Sequence, residues 1–219
     1  MTIISMFRTT SRARLDRYFA QVAMLPPDTH VISVEGDSID DTRFRLCEHL
    51  RSCGKPATLV VYEHGGPHYG QVISRERFTQ RAACKNAGLS YVEETADAVI
   101  YVEGDLIWEA MDLMKMVAQL RPGVDVIAPS VWAGEAFYDI WGFRDLTGER
   151  FTSGAPYSTS LCLDGLTEIS TAGSCLVMRG EVARACRATD EEEIVGFCKD
   201  ATSRGFHIYA DWQTRIFHP

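Results

Sequence analysis

Three times within the first ninety residues an apolar run gives way to a polar loop and then to a helix-period stretch, and a fourth such run follows near residue 100. Residues 2–7 (Thr-Ile-Ile-Ser-Met-Phe) read as a buried strand. The Thr9-Thr10-Ser11 cluster can cap a helix over roughly 11–24, which Pro26 and Pro27 stop. Val31 to Val34 ends in Glu35-Gly36-Asp37-Ser38 and leads into a helical stretch carrying Phe44, Leu46, Cys47 and Leu50, closed by Gly54 and Pro56. The third unit is Ala57 to Tyr62, a loop with His64, Gly65, Gly66, Pro67 and His68, and a helix from about Ser74 to Asn86. Ala98 to Val102 then precedes a helix over Trp108 to Leu120, on which Met111, Leu113, Met114 and Val117 suit packing. Repeated βα units with short connections predict an α/β protein with a mainly parallel sheet flanked by helices.

After Val124 to Ala128 the rhythm changes to aromatic and glycine-rich segments, with Trp132, Phe137, Tyr138, Trp141, Phe143 and the loop 147–160. Such a region is expected to shape a substrate site rather than extend the scaffold. Strands are predicted within Leu161 to Arg179, around Thr171-Ala172-Gly173-Ser174. A helix is predicted from Glu191 to Arg204, ended by Gly205, and then two short strands at His207 to Tyr209 and Thr214 to His218. At 219 residues, 46% of them hydrophobic, the chain can bury one sizeable core, so a single domain is expected.

The fourth strand carries the chemistry. Val99-Ile100-Tyr101-Val102 runs into Glu103-Gly104-Asp105, two carboxylates separated by a glycine that lets the backbone bend closely. Acids delivered to a strand's carboxyl end are a suitable seat for a hard divalent cation and the phosphates it carries; an ordinary acidic turn would have the same residues. In open parallel sheets ligands lie outside the carboxyl ends of the strands, where this chain places Arg8, Asp37, Glu103 and Asp105. Neither G-x-G-x-x-G after the first strand nor G-x-x-x-x-G-K-[ST] is present, so a metal is expected to supply much of the phosphate recognition.

The formal charge of −8 disfavours a broad nucleic-acid surface. The seven cysteines show neither a CxxC pair nor metal-finger spacing and are expected to be reduced thiols in a cytoplasmic chain. No apolar run reaches the ~18 residues of a membrane span, and no membrane anchor or signal peptide is expected.

In order, these features resemble the GT-A family of nucleotide-sugar glycosyltransferases over nearly the whole chain. Glu103-Gly104-Asp105 looks like a variant of that family's acid-x-acid motif. Glu35-Gly36-Asp37-Ser38 lies where the family often reads the nucleobase, and Arg81 to Gly88 resembles the helix before the metal strand. The stretch from Ala96 to Trp132, the later FYDIWGF and the terminal IFHP resemble the mannan-polymerase type of α-mannosyltransferase. The resemblance implies a GT-A-like domain over 1–219, with 1–128 binding the nucleotide sugar and 129–219 forming the acceptor-binding and catalytic part. It implies a nucleoside diphosphate sugar donor, bound by Arg8, Asp37, Arg81, Glu103, Asp105 and Gly173. It also implies a divalent cation, Mn2+ or Mg2+, held by Asp105 and His218 with help from Glu103. Glu103 departs from the family's usual aspartate by one methylene. An imidazole ligand suits Mn2+ better than Mg2+.

By the same resemblance Glu193, and after it Glu192, is the candidate catalytic acid residue, at a helix N-terminus whose dipole stabilises a carboxylate. A charged first helical turn accounts for these glutamates equally. Asp139 and Trp141 are candidates to bind an acceptor, whereas Trp141 and Phe143 also fit a core. Gly173 permits close approach of the donor or marks a bulge. His64 and His68 are expected to be exposed loop residues, and Arg75, Arg77, Arg81 and Lys85 a solvated helix face. The acceptor is a hydroxyl of unknown origin in a bacterial or virus-infected cell. Alternatives are a hydroxymethylated base in viral DNA, its backbone met by Arg8, Arg12, Arg14 and Arg17 and by the helix bearing Arg75 to Lys85, a nucleotidyltransferase, and an inactive nucleotide-sugar-binding subunit.

Overall fold

A computed structural model describes residues 1–69, 72–191 and 194–219. The strands are β1 (Thr2–Phe7), β2 (His30–Glu35), β3 (Ala57–Val61), β4 (Ala98–Val102), β5 (Val126–Ala133), β6 (Ala136–Phe137), β7 (Leu166–Ile169), β8 (Cys175–Arg179) and β9 (Ile208–Phe217). The helices are α1 (Arg12–Met24), α2 (Thr42–Ser52), α3 (Arg75–Leu89), α4 (Ala110–Val117), α5 (Gly180–Ala185) and α6 (Ile194–Ser203). All nine strands form one sheet in the order β3-β2-β1-β4-β8-β5-β9-β7, with β6 on β5.

Alternation along the central strands explains why both faces are covered. Ile3, Val31 and Ile100 point to one side, where they meet Leu15, Tyr18 and Phe19 of α1, Leu46 and Leu50 of α2, and Leu113 and Met116 of α4. Ile4, Ile32, Val99 and Tyr101 point to the other, with Ala82 and Leu89 of α3, Val182 of α5 and Phe197 of α6. A period of two with apolar residues at both phases is the pattern of a strand buried on two sides.

β1, β2, β3 and β4 pair in parallel, as the repeated βα units predict, and β5 pairs in parallel with β9. β8 enters antiparallel between β4 and β5, and β7 lies antiparallel on β9, so the second half of the sheet is mixed. Several local expectations are corrected. Ser11 occupies the N-cap of α1 without a side-chain cap, whereas Ser74 caps α3 by accepting from the Arg77 amide. Phe44 is exposed on α2 and Met111 on α4. The two terminal strands are one strand, β9. Its register against β5 shifts where the Asp211 carboxylate accepts the Gln213 and Thr214 amides and the Thr214 hydroxyl. Trp132, Phe137, Phe143 and Phe151 are buried core, gathered with Tyr157 around Trp212, so much of the aromatic region is scaffold after all.

Candidate functional site

The carboxyl end of β4 is welded to its neighbours by backbone hydrogen bonds. The Glu103 amide donates to the Ser174 carbonyl (3.0 Å), and the Leu106 amide closes the turn on the Glu103 carbonyl (3.1 Å). A Cβ on Gly104 would lie 2.5 Å from the Phe7 ring and 2.7 Å from the Met6 carbonyl oxygen of β1. Since backbone cannot step aside, Gly104→Ala is expected to cost about 1–3 kcal/mol, as overpacking does, and to displace both acids. Denaturant unfolding of the variant checks this.

Beyond the turn, Ile107 pairs with Phe217 through two backbone hydrogen bonds of 2.7 and 2.9 Å. That pairing carries His218 to the acidic turn, with its Nε2 3.4 Å from Oδ2 of Asp105. The imidazole is held by stacking on Tyr138, 4.1 Å between centroids, and its amide donates to the Trp132 carbonyl (2.8 Å). Oδ1 of Asp105 is buried and has no hydrogen-bond partner among the described residues. Glu103 instead pairs with Arg81 from α3.

Two adjoining clefts open onto this turn. The first is lined by Phe7, Arg8, Gly36, Arg81, Cys84 and Gly104, among others, and the second by Tyr138, Asp139, Trp141, Gly142, Ser174 and His218. Arg77, Arg81, Glu103 and Asp105 line both. Arg8 contributes a buried Nε with no acceptor among the described residues; its Nη2 lies 3.4 Å from the Pro67 carbonyl. Asp37, at a positive φ of 52°, turns toward the following loop, where its carboxylate accepts the Gly65 amide (2.8 Å) and lies 3.4 Å from His64. Partial burial opposes ionisation there, but the Gly65 hydrogen bond and the nearby His64 and Arg8 outweigh it and hold the carboxyl below its ordinary range. His64 is thus largely shielded rather than an exposed loop residue. Glu35 is fully buried and accepts from Arg43 (2.7 Å) and the Ser38 amide (2.7 Å), which makes it a clamp for the turn.

In the second cleft Asp139 is buried, and its carboxylate lies where a Cβ on Gly173 would be. Gly142 meets the same segment, a Cβ on it falling 2.6 Å from the Gly173 Cα, so two glycines let the Asp139–Gly142 turn rest on residues 171–174. The strands expected around Thr171 to Ser174 are β7 and β8, and the four residues themselves form the connection between them. Burial, followed by the Glu103 charge, pushes the Asp139 carboxyl up to about 7, against the opposing Ser174 hydrogen bond and Lys85. Its Oδ2 has no partner among the described residues. Trp141 stays 55% exposed, with the Arg150 guanidinium 4.7 Å over its ring. Burial, Asp105 and Glu103 push the Tyr138 phenol up.

The structure therefore brings Arg8, Arg81, Glu103, Asp105, His218, Asp139 and Trp141 to one place, with Gly173 directly beneath Asp139. Asp37 stands at the rim, and Glu192 and Glu193 lie outside the described residues. Gly142 carries no site expectation from the sequence although it lies in the same FYDIWGF motif as Asp139, while Tyr138 and Ser174 are named there only as members of their segments. Among the described residues no three His, Cys, Asp or Glu side chains converge as a metal cage. The pair Asp105 and His218 nevertheless fits a cation, since one carboxylate oxygen is unmet and an imidazole nitrogen faces the other. Remaining positions would be left to phosphate oxygens and water, as divalent cations at phosphate sites commonly have them.

No protein-family profile and no curated protein matches the chain. Solved structures do. S. aureus TarS 1–349, also solved in complex with UDP, aligns at a TM-score of 0.59 and 13% identity, covering 99% of this chain and 59% of that one. Mannosyltransferase PcManGT from Pyrobaculum calidifontis, in complex with GDP-Man and Mn2+, aligns at 0.58 and 12% identity, over 99% of this chain and 55% of the other. A nucleoside-diphosphate-sugar pyrophosphorylase from Vibrio cholerae RC9 aligns at 0.55 and 13% identity, over 97% and 91%. The chain spans less than two thirds of TarS and of PcManGT. What the likeness establishes is the fold: an α/β domain of the GT-A-like kind, its nine-stranded sheet flanked by helices on both faces.

Proposed function

We propose that the protein is a metal-dependent glycosyltransferase that moves a sugar from a nucleoside diphosphate sugar to a hydroxyl acceptor. The observation that carries this is the Asp105–His218 pair at the junction of two clefts. The donor's nucleotide takes the first cleft, with Arg8 and Arg81 toward its phosphates, and the acceptor takes the second, beside Trp141 and Asp139. Asp105 and His218 would hold Mn2+ or Mg2+, which when bound supplies charge to the leaving diphosphate. Arg8 adds fixed positive charge on the same side, where preorganised electrostatics stabilise an oxocarbenium-like transition state. The shared fold with a mannosyltransferase bound to GDP-Man and Mn2+ supports the donor class. It also agrees with the mannan-polymerase resemblance, so GDP-mannose is the first donor to try. No helix of the described residues is long and apolar enough to cross a membrane.

Nucleotidyl transfer is the second reading, favoured by the pyrophosphorylase of the same fold. The segment after β1 speaks against it. Arg8-Thr9-Thr10-Ser11-Arg12 has no glycine, the Thr9 amide donates to the Ser38 hydroxyl (2.9 Å), and the Thr10 amide donates to the Thr42 hydroxyl (2.7 Å). Those amides are already spent and would not cradle a triphosphate.

A thermal-shift series with UDP-, GDP-, CDP- and dTDP-sugars, with and without Mn2+, tests the proposal on the native chain and on Asp105→Ala. Stabilisation by one nucleotide class that requires both the metal and Asp105 is expected. No metal-linked shift with any of them would sink it.

A further inference from the structure

We infer that Asp139 is the catalytic residue that takes the proton from the acceptor hydroxyl, a role the family resemblance gives to the glutamates at 192 and 193. The inference rests on the glycosyltransferase reading of the two clefts.

Asp139 combines features that a purely structural aspartate would not need. It is 6% exposed, yet it lines the second cleft, and its Oδ2 is without a partner among the described residues although buried. A buried polar atom left unmet costs stability and is uncommon unless something else meets it. Gly173 leaves the space in which the carboxylate sits, and Gly142 lets the turn that carries Asp139 rest on the Gly173 backbone. The charged and titratable groups near it come from several elements: Glu103 after β4, Lys85 on α3, Cys175 on β8, Cys198 on α6 and the neighbouring Tyr138. Trp141 and Gly142 line the same cleft, as do Asp105 and His218, where the donor's diphosphate is placed.

The step balances without any further reagent. As the acceptor oxygen forms its bond to the anomeric carbon, its proton passes to Oδ2 of Asp139. The bond from that carbon to the diphosphate oxygen breaks, and the electron pair leaves with the nucleoside diphosphate. The carboxylic acid then returns its proton to water. Water can take the acceptor's place, so slow hydrolysis of the donor reports on the same group when the natural acceptor is not in hand.

The test compares the native chain with Asp139→Asn and Asp139→Glu, using the thermal shift with GDP and UDP in Mn2+ and the rate at which GDP or UDP is released from GDP-mannose or UDP-glucose. Release is followed in water and with methyl α-mannopyranoside as a trial acceptor. Asp139→Asn is expected to keep the native nucleotide shift and the donor KM while kcat for release falls at least 100-fold. Asp139→Glu is expected to recover part of that loss. An Asn variant that binds nucleotide and releases it at the native rate overturns the role of Asp139 and leaves the glycosyltransferase reading standing. Absence of both nucleotide shift and release in the native chain overturns the two together.

Discussion

Asp139→Asn is expected to make the protein more stable above neutral pH. The carboxyl's pKa is raised from 3.8 to about 7 by burial and by Glu103. A group whose pKa is higher folded than unfolded gives stability that is fully present below about pH 4 and is lost as the pH rises through about 7. A shift of this size corresponds to about 4 kcal/mol once the pH exceeds 8. Asparagine has nothing to ionise at this position, so the variant lacks this loss and the gap between the two proteins should widen as the pH rises through the window. At pH 8 that amounts to a rise in Tm on the order of 10 °C, whereas at pH 4 the two proteins should nearly coincide. Thermal unfolding at four or five pH values between 4 and 8 checks it. A native stability that stays flat across that range would mean that Asp139 ionises freely in the fold.

The second large effect falls on the acidic turn. Asp105→Asn keeps the shape and loses the charge, and turnover is expected to drop by about three orders of magnitude, several kcal/mol of leaving-group stabilisation. His218→Ala should be milder in turnover but should shift the preference from Mn2+ toward Mg2+, because it leaves an all-oxygen site. Donor hydrolysis measured across a titration of each metal separates the two variants. Equal turnover in Asp105→Asn and the native chain would remove the metal from this site. Glu103→Gln is expected to act through Arg81 and donor affinity, since the carboxylate is engaged there and not beside His218.

The sequence discloses the first half of the sheet far better than the second. β1 to β4 are short, apolar and separated by helices with a clear period, so both their existence and their parallel pairing follow from local pattern. β9 was legible only as two fragments, because the register shift between Asp211 and Arg215 breaks the alternation that marks a strand. Strands expected around Thr171 to Ser174 are present on both sides of it as β7 and β8, whereas the long-range contact of Gly142 upon Gly173 has no local signal. The acids at 103 and 105 were visible at a strand end, while the partnership of Asp105 with His218 came from resemblance, no spacing rule linking residues so far apart. Glu35 looked like part of a recognition motif; burial under Arg43 makes it structural. The burial of Asp139 could not be read at all, for nothing in FYDIWGF tells which of its polar and aromatic side chains face inward.

The pairing of Ile107 with Phe217 also has a bearing on how the molecule comes together. A contact between residues separated by 110 positions must overcome the entropy of closing a long loop, and such contacts tend to form late. β1, β2 and β3 pair through successive βα units, whereas β4 joins β1 (Thr2 beside Val99) and β9 joins β5 and the acidic turn only across long intervals. An intermediate with the nucleotide-facing half assembled and β9 undocked would keep the Arg8 side of the first cleft while Asp105 waited for its imidazole. Recovery of metal-linked ligand binding during refolding should then lag behind recovery of secondary structure, with the docking of a single strand as the event that separates them.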